Sequence, residues 1–486
     1  MSNIKEKTIS GFIWRIIQNS SAQIINFVIS LVLTRLLDPD DYGLAAMASI
    51  FNSIALVFVN TGFTSSIIQK DRLDDDDLCT MFWSGLILSV FIYLLLFIMA
   101  PRIATFYHHN ELISMIRVES FIVPISALFS VQQAILSRNL QFKISFLASL
   151  IGAVVHGIVG ISMALAGYGS WALIVSSLAN NLVCVFVLWS MVKWRPSFRF
   201  SKRSFTEMFG FNVKMLTSSL LDTVYNNIQS LIIGRQYTAA DLAYYNRGNN
   251  IPSIFMTVVD GSMTSVLFPT LSKYQNDWEN GLKALRRSLK LSMYVCLPLL
   301  FGLIAVSRSM VIVLFTEKWL ESVDYIRLSC LICAFWPLSA KSHALNSLGK
   351  SEITVRIKTI SNIITLTALL LTYRISAKMI LVGMIFASLF VSAISALVYS
   401  KHLNYTIKDQ IFDVLQSLLL SAIMAFTVYG IELLSFEPFL ALVIQIALGI
   451  IVYVLLSFIT RNDSFNYLLR IIKEAIVKIS RSRKKE

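Results

Sequence analysis

Residues 80–100 read TMFWSGLILSVFIYLLLFIMA, 21 residues without a charge. A helix rises 1.5 Å per residue, so this stretch spans the ~30 Å hydrocarbon core of a bilayer. Asp74, Asp75, Asp76 and Asp77 stand just before it, and Pro101 and Arg102 just after. The acidic run suits a helix N-terminus, where unpaired N–H groups and the helix dipole favour negative charge. A cation site is the alternative reading of the same four residues.

Stretches of this kind recur along the chain. Fourteen are found, over 11–36, 43–68, 80–100, 112–134, 145–166, 169–192, 208–234, 247–272, 289–315, 323–345, 356–373, 378–400, 411–431 and 438–460. The eighth is the least apolar. Long apolar segments with short loops exclude a β-barrel, whose strands alternate over about ten residues. Of 486 residues, 56% are hydrophobic and 14% charged, and the mean hydropathy is +0.69. A soluble chain carries roughly 25% charged residues, so this one has too little polar surface to enclose itself in water. Disorder, collagen and a disulfide scaffold are excluded by composition. The first apolar stretch is too long for the core of a signal peptide and has no small-residue cleavage site. Cys79, Cys184, Cys296, Cys330 and Cys333 lie in or beside apolar segments and read as packed small hydrophobes; Cys330 and Cys333 lack the His or Cys partners a metal needs.

The chain carries 42 Lys and Arg against 28 Asp and Glu, a net charge of +14. The cations sit in short clusters between apolar segments, which speaks for membrane orientation and against nucleic acid. Fourteen spans place both termini on one side. The segments assigned to that side hold 30 of the 42 cations, and loop 193–203 alone holds five. Both termini are therefore expected in the cytoplasm. In the tail, Phe465, Leu468, Leu469, Ile472, Ile476 and Ile479 recur at helical spacing with Arg470, Lys473, Lys478 and Arg481 between them. This pattern predicts an interfacial amphipathic helix held by anionic membrane lipid, with a solvated basic tail as the alternative. Segment 274–290 has the same character.

The chain repeats itself. Residues 20–65 and the stretch 200 positions later share ten of 46 residues, among them Asn26 and Asn226, Arg35 and Arg235, and Asp41 and Asp241. Six spans per half make the repeats parallel, related by an axis along the membrane normal. The expected fold is an all-α integral membrane protein of about 14 transmembrane helices. Two pseudo-symmetric parallel six-helix bundles, residues 1–200 and 201–405, surround a central cavity. Two C-terminal helices over 406–460 and the basic amphipathic tail over 461–486 complete it. Arg35, Asp41, Arg235 and Asp241 read as structural turns, each arginine near its own aspartate.

Polar stripes mark the cavity. Helix 7 carries Lys214, Ser218, Asp222, Asn226 and Gln229 at steps of three and four; helix 1 carries Arg15, Gln18, Asn19, Gln23, Asn26 and Ser30. Helices 2 and 8 carry similar stripes, the latter with Asp260. A charge in the bilayer centre costs about 2.5–3.5 kcal/mol, so such residues face a cavity, pair, or snorkel. The candidate cavity set is Arg15, Asn26, Lys214, Asp222, Asn226 and Asp260. Against it stand interhelical hydrogen bonding for the amides, a Lys214–Asp222 ion pair, and a snorkelling Arg15. His156 reads as a core histidine, and Arg308, like Arg102, as interfacial. No Walker loop, catalytic triad, paired-carboxylate set or metal cluster stands out. The chain reads as no enzyme, with no cofactor, no metal and no catalytic residue.

Several motifs carry a family resemblance. SGFIWRIIQNSSAQIINFVISLVLTRLLDPDDYGLAAM (10–47), AILSRNLQFK (134–143), GYGSWALIV (167–175), LIIGRQYTAADLAYYNRGNNIPSIF (231–255), FTEKWLESVDYIRLSC (315–330) and NSLGKSEI (346–353) resemble bacterial polysaccharide flippases. These belong to the multidrug/oligosaccharidyl-lipid/polysaccharide exporter superfamily. The nearest branch looks like the exporters of teichuronic acid, colanic acid and O-antigen-type units. Relatives often carry an Asp five residues before the Gly-Arg/Lys pair, where this chain has Gln229, so a coupling role for an acid there is not carried over. The resemblance implies a flippase for an undecaprenyl-pyrophosphate-linked oligosaccharide in the bacterial inner membrane. It implies alternating access of the two halves, with a polysaccharide polymerase and glycosyltransferases as further partners. Arg15 and Lys214 would meet the pyrophosphate. The competing readings are a multidrug extruder exchanging organic cations for H+ or Na+, for which Asp222 and Asp260 speak, and a scaffold in an envelope-synthesis complex.

Overall fold

Caps and breakers in the sequence set the helix boundaries of the computed structural model, which describes residues 25–470 and 473, apart from 62–63, 71–72, 275–276 and 435. The regular elements among the described residues are all helical. By packing, the chain divides into Met1–Ala243 and Tyr244–Glu486.

The first unit begins with α1 (Ile25–Leu36), α2 (Pro39–Asn60), α3 (Thr64–Gln69) and α4 (Asp75–Tyr107). Then come α5 (Leu112–Glu119) and α6 (Ile122–Arg138), which form one span, then α7 (Phe142–Leu165), α8 (Trp171–Met191) and α9 (Lys202–Gln236). Helix α10 (Ala239–Lys273) runs across the boundary into the second unit. That unit continues with α11 (Trp278–Phe315), α12 (Ser322–Cys333), α13 (Ala340–Ser347), α14 (Ser351–Thr372), α15 (Ala377–Leu403), α16 (Ile407–Tyr429) and α17 (Pro438–Ile459). A further helix covers 463–470. A minority of side chains in α3, α9 and α10, Lys214 and Asp260 among them, lie outside the description.

Among the described residues, eleven helical segments are long and apolar enough to cross a membrane. Helices α9 and α10 are not among these eleven, and both carry polar stripes inside the helix. At 35 residues each, they are nonetheless about 52 Å long. The acidic run before α4 works as a cap: Asp77 accepts from the Asp74 N–H at 3.1 Å and receives Lys70 at 2.8 Å.

Large apolar side chains point outward, such as Phe186, Phe426 and Phe458. That is stable only in an apolar solvent. Small residues turn inward. Helix α7 buries Gly152, Ala153, Gly157, Gly160 and Ala164, and a Cβ on Gly160 would lie 3.3 Å from Leu33 and Ser176. With lipid outside, close approach of backbones replaces the hydrophobic effect as the force between helices.

In each unit, loops that helix counting assigns to one side meet one another. At the basic end of the first unit Lys70 bonds Glu207, Arg138 donates to the Ile67 carbonyl, and Trp194 Nε1 donates to Asp75. Burial draws the Lys70 ammonium down, but Asp77 and Glu207 outweigh it and hold it above its ordinary range. At the opposite end Ser170 donates to Asp41, and Ala240 N–H to Asp40. In the second unit Trp278 donates to the Leu403 carbonyl and Arg286 to Asp413 at the basic end. Lys378 reaches Glu321 and Asp324, and Arg327 reaches Glu432, at the other.

Candidate functional site

A cavity of about 660 Å³ lies within the second unit, among α12, α13, α14 and α15. Three stripes at helical spacing line it. Ser339, Ser342, His343 and Asn346 lead into and along α13; Lys358, Ser361 and Thr365 follow on α14; Ser388, Ser392 and Ser395 follow on α15. Steps of three and four keep each set on one helix face. Hydroxyls are the dominant lining groups, each able to donate and accept. The ring of Trp336 and the Tyr399 hydroxyl, 2.8 Å from Ser342 Oγ, belong to the same wall.

Behind that wall sits a buried cation. Lys341 is 4% exposed. Its Nζ donates to Gln410 Oε1 at 2.8 Å and lies 5.5 Å from the Tyr399 ring centroid. The Gln410 amide in turn donates to the Tyr405 and Ala396 carbonyls. No carboxylate among the described residues pairs with Lys341, so amide and aromatic face hold its charge.

The first unit buries polarity differently. Glu119 ends α5 and is 7% exposed. The Asn52 side chain lies beside it, yet neither Asn52 amide atom nor Glu119 Oε2 completes a hydrogen bond among the described groups.

Of the cavity set drawn from the sequence, three residues fall among the described side chains. Arg15 precedes the described residues, and the side chains of Lys214 and Asp260 lie outside them, as does the Lys214–Asp222 pair. Asn26 is exposed on α1; Asp222 and Asn226 are exposed on α9. None of these three lines the cavity on α12–α15. Sequence reading missed that cavity although its signal is present: serines and threonines at helical spacing in three successive apolar stretches. Single hydroxyls are read as interhelical bonds, and only their convergence distinguishes a cavity. The repeat-related turns share one chemistry. Asp41 accepts from the Asp38 N–H at 3.2 Å, and Asp241 from the Thr238 N–H at 3.2 Å and the Thr238 hydroxyl at 2.8 Å. Each closes the first turn of its helix. Arg235 does not reach back to Asp241. Its guanidinium contacts the His108 ring and covers Phe106 at 5.3 Å. Arg35 is exposed. Helix α9, which the repeat assigns to the second half, packs in the first unit. There a Cβ on Gly234 would meet Tyr107 and Met47, and one on Gly43 would strike the Ala239 carbonyl.

The fold has known counterparts. The chain is 17% identical to the lipid II flippase MurJ in an inward closed conformation, with a TM-score of 0.70 over 93% of this chain and 99% of that one. In sequence it is 26% identical to the teichuronic acid biosynthesis protein TuaB of Bacillus subtilis (strain 168), over 94% of this chain and 96% of that protein. It is 25% identical to the succinoglycan biosynthesis transport protein ExoT of Rhizobium meliloti (strain 1021), over 65% of this chain and 64% of that protein, less than two thirds of its length. Residues 32–324 match the model of a family described as polysaccharide biosynthesis protein. The chain is a multi-pass membrane protein and belongs to the polysaccharide biosynthesis protein family.

Proposed function

We propose that this protein flips a lipid-linked oligosaccharide, an undecaprenyl-pyrophosphate-linked repeat unit, across the bacterial inner membrane. Membership of the family is the observation that carries this reading, and the hydroxyl-lined cavity within apolar spanning helices gives it a physical basis. A glycan headgroup cannot cross hydrocarbon without replacing its hydrogen bonds to water. Serine and threonine stripes replace them, while the polyprenyl tail stays in the bilayer. Lys358 adds positive charge and His343 a ring nitrogen where a phosphate has to be met. Arg15 and Lys214 remain proposed partners of the pyrophosphate, with Asn26, Asp222, Asn226 and Asp260 in a polar passage separate from the α12–α15 cavity. The two repeats, residues 1–200 and 201–405, rock about the site in alternating access. Both termini face the cytoplasm, since most cations fall on that side. A polymerase and glycosyltransferases are the proposed partners downstream and upstream. The chain acts as a transporter and not as an enzyme.

A multidrug extruder would want carboxylates in its cavity to attract organic cations. The described lining of the second-unit cavity contains none, and Asp222 and Asp260 of the separate passage are the residues that would serve such an extruder. Translocation of a labelled lipid-linked repeat unit in proteoliposomes tests the flippase reading. Ser361→Leu with Ser392→Leu fills the cavity with apolar bulk and is expected to slow translocation at least about tenfold while leaving membrane insertion unchanged. Normal translocation by that variant sinks the cavity assignment. Export of organic cations without movement of the lipid-linked sugar sinks the flippase reading.

A further inference from the structure

A second cavity, about 590 Å³, opens at the basic end of the second unit between the start of α11 and the helix over 463–470. Lys283, Arg286, Arg287 and Lys290 line it from α11, at steps of three, one and three that keep them on one face. Arg470 faces them from the tail helix, and Asp463 is the one acidic residue in the lining.

These cations are held in different ways. Arg286 makes two hydrogen bonds to Asp413, through Nε at 2.7 Å and Nη2 at 2.9 Å, and Nη2 also meets Asp409 at 3.1 Å. Lys290 shares Asp413 at 3.1 Å. Lys283 pairs with Glu279 at 2.8 Å. Arg287 has no carboxylate partner among the described residues; its guanidinium lies 3.6 Å from the centroid of the Tyr467 ring, which fixes its plane. Arg470 likewise has no acceptor among the described residues. Two guanidinium groups with available donors thus face one cavity, and the Asp413 network holds the wall behind them. Planar forks of this kind match phosphate oxygens.

The depth of the pocket identifies the source of the phosphate. Charge on α11 stops at Lys290, and from Leu291 to Ser307 the helix carries none. The lining crosses that boundary, since Leu291 belongs to it. Beneath it Phe465 and Leu468 pack into the apolar cluster formed with α11, α16 and α17. A site at the step from charged to apolar helix lies where phospholipid headgroups lie.

We propose that this pocket binds the phosphate of an anionic membrane phospholipid, which bridges Arg287 and Arg470 and fastens the tail helix to α11. The bound lipid is a structural ligand, and its acyl chains follow the apolar part of α11. The site is independent of the flippase reading, because binding is read without transport.

The test uses the full chain in phosphatidylcholine nanodiscs. Phosphatidylglycerol is titrated in, and bound lipid is counted by native mass spectrometry. Arg287→Gln with Arg470→Gln is expected to weaken phosphatidylglycerol binding about thirtyfold, the effect of two interfacial cations. Parallel arms titrate undecaprenyl pyrophosphate and inorganic phosphate, whose binding is expected to be the same in variant and wild type. Equal phosphatidylglycerol affinity in the two proteins overturns the proposal. So does a loss confined to undecaprenyl pyrophosphate, which assigns the pocket to the substrate, or to inorganic phosphate, which removes the lipid. Should the double variant aggregate, Arg470→Gln alone, at an exposed position, is expected to lose about fivefold, and no loss there overturns the proposal equally.

Discussion

Among the described residues, the buried charged side chains of the second unit, Asp413 and Lys341, each have a partner, whereas in the first unit one oxygen of the buried Glu119 has none. Asp413, with a side chain 2% exposed, receives Arg286, Lys290 and the Tyr405 hydroxyl. Lys341 has Gln410 and Tyr399. In the first unit Asp77 has Lys70, but Glu119 and Asn52 lie together with unfilled hydrogen-bonding capacity. The unpartnered buried polar groups described in the second unit are neutral: the hydroxyls of Thr316, Ser329 and Thr354, and both amide atoms of Gln445 on α17. A paired charge adds structure at the membrane edge, where the Asp413 cluster joins α11 to α16. An acid inside a spanning segment whose hydrogen bonding is incomplete adds less structure, and such a residue is a candidate for a working part.

Removing the hub of the paired cluster is expected to have the largest effect. Asp413→Ala leaves Arg286 and Lys290 facing each other beside Tyr405 with only the half-exposed Asp409 to share. Breaking a buried pair costs about 3–5 kcal/mol. Both cations here are about one third exposed, so the expected loss is about 2–3 kcal/mol after screening. Thermal unfolding in detergent reads it. A loss below ~1 kcal/mol means that the cluster is solvated and that pairing does not distinguish the units.

Glu119 sharpens the contrast from the other side. Glu119→Gln keeps the shape and offers Asn52 a neutral partner, so stability is expected to stay within about 1 kcal/mol of the original. Glu119→Ala opens a small cavity and is expected to cost about 1–3 kcal/mol. If Glu119→Gln folds as well as the original and still flips lipid-linked sugar at the normal rate, the carboxyl has no working role and the contrast is one of packing alone. Lys341→Met tests the paired side at the same scale. It replaces a buried cation by an apolar chain of similar length, a change often neutral for stability, although Gln410 loses one donor. A loss above ~3 kcal/mol would show that Lys341 anchors more than Gln410 and Tyr399.

Much of the architecture is legible without coordinates, because a bilayer imposes a simple rule on every spanning segment. Twenty apolar residues make a span, and eleven of the fourteen such stretches fall on described helical segments long and apolar enough to cross a membrane. Lys70, Arg138 and loop 193–203, grouped by helix parity alone, meet at one end of the first unit. The polar sites are harder to read. The stripe on α9 is conspicuous because it contains a lysine and an aspartate, whereas the stripes on α13–α15 consist mainly of hydroxyls that any apolar helix tolerates. Glu119 is inconspicuous because it is the one acid in its stretch, and its meeting with Asn52 is a tertiary event between α5 and α2. The partners of Arg235 are equally nonlocal, as His108 is 127 residues away.

The repeat supplies the finest comparison, between two turns with one sequence pattern and different surroundings. Asp41 and Asp241 each close the first turn of a helix from the third position. Asp41 also accepts from Ser170 Oγ at 3.0 Å, and Gly169, at φ +53, leaves room for its carboxylate. Asp241 has the Thr238 hydroxyl, a partner from its own turn. Loss of a capping group costs about 0.5–2 kcal/mol. Asp241→Ala is expected at the low end, about 0.5 kcal/mol, because Thr238 retains its hydroxyl bond to the Asp241 backbone N–H. Asp41→Ala removes a local and a long-range acceptor together and is expected to cost about 1–1.5 kcal/mol. Thermal unfolding of the two variants under one set of conditions orders them. The same order should survive in Ser170→Ala, but with the gap halved, since that substitution removes the long-range bond from the first turn alone. If Asp241→Ala costs as much as Asp41→Ala, the two turns are equivalent in energy as well as in pattern, and the tie from Asp41 to the start of α8 adds nothing to the fold.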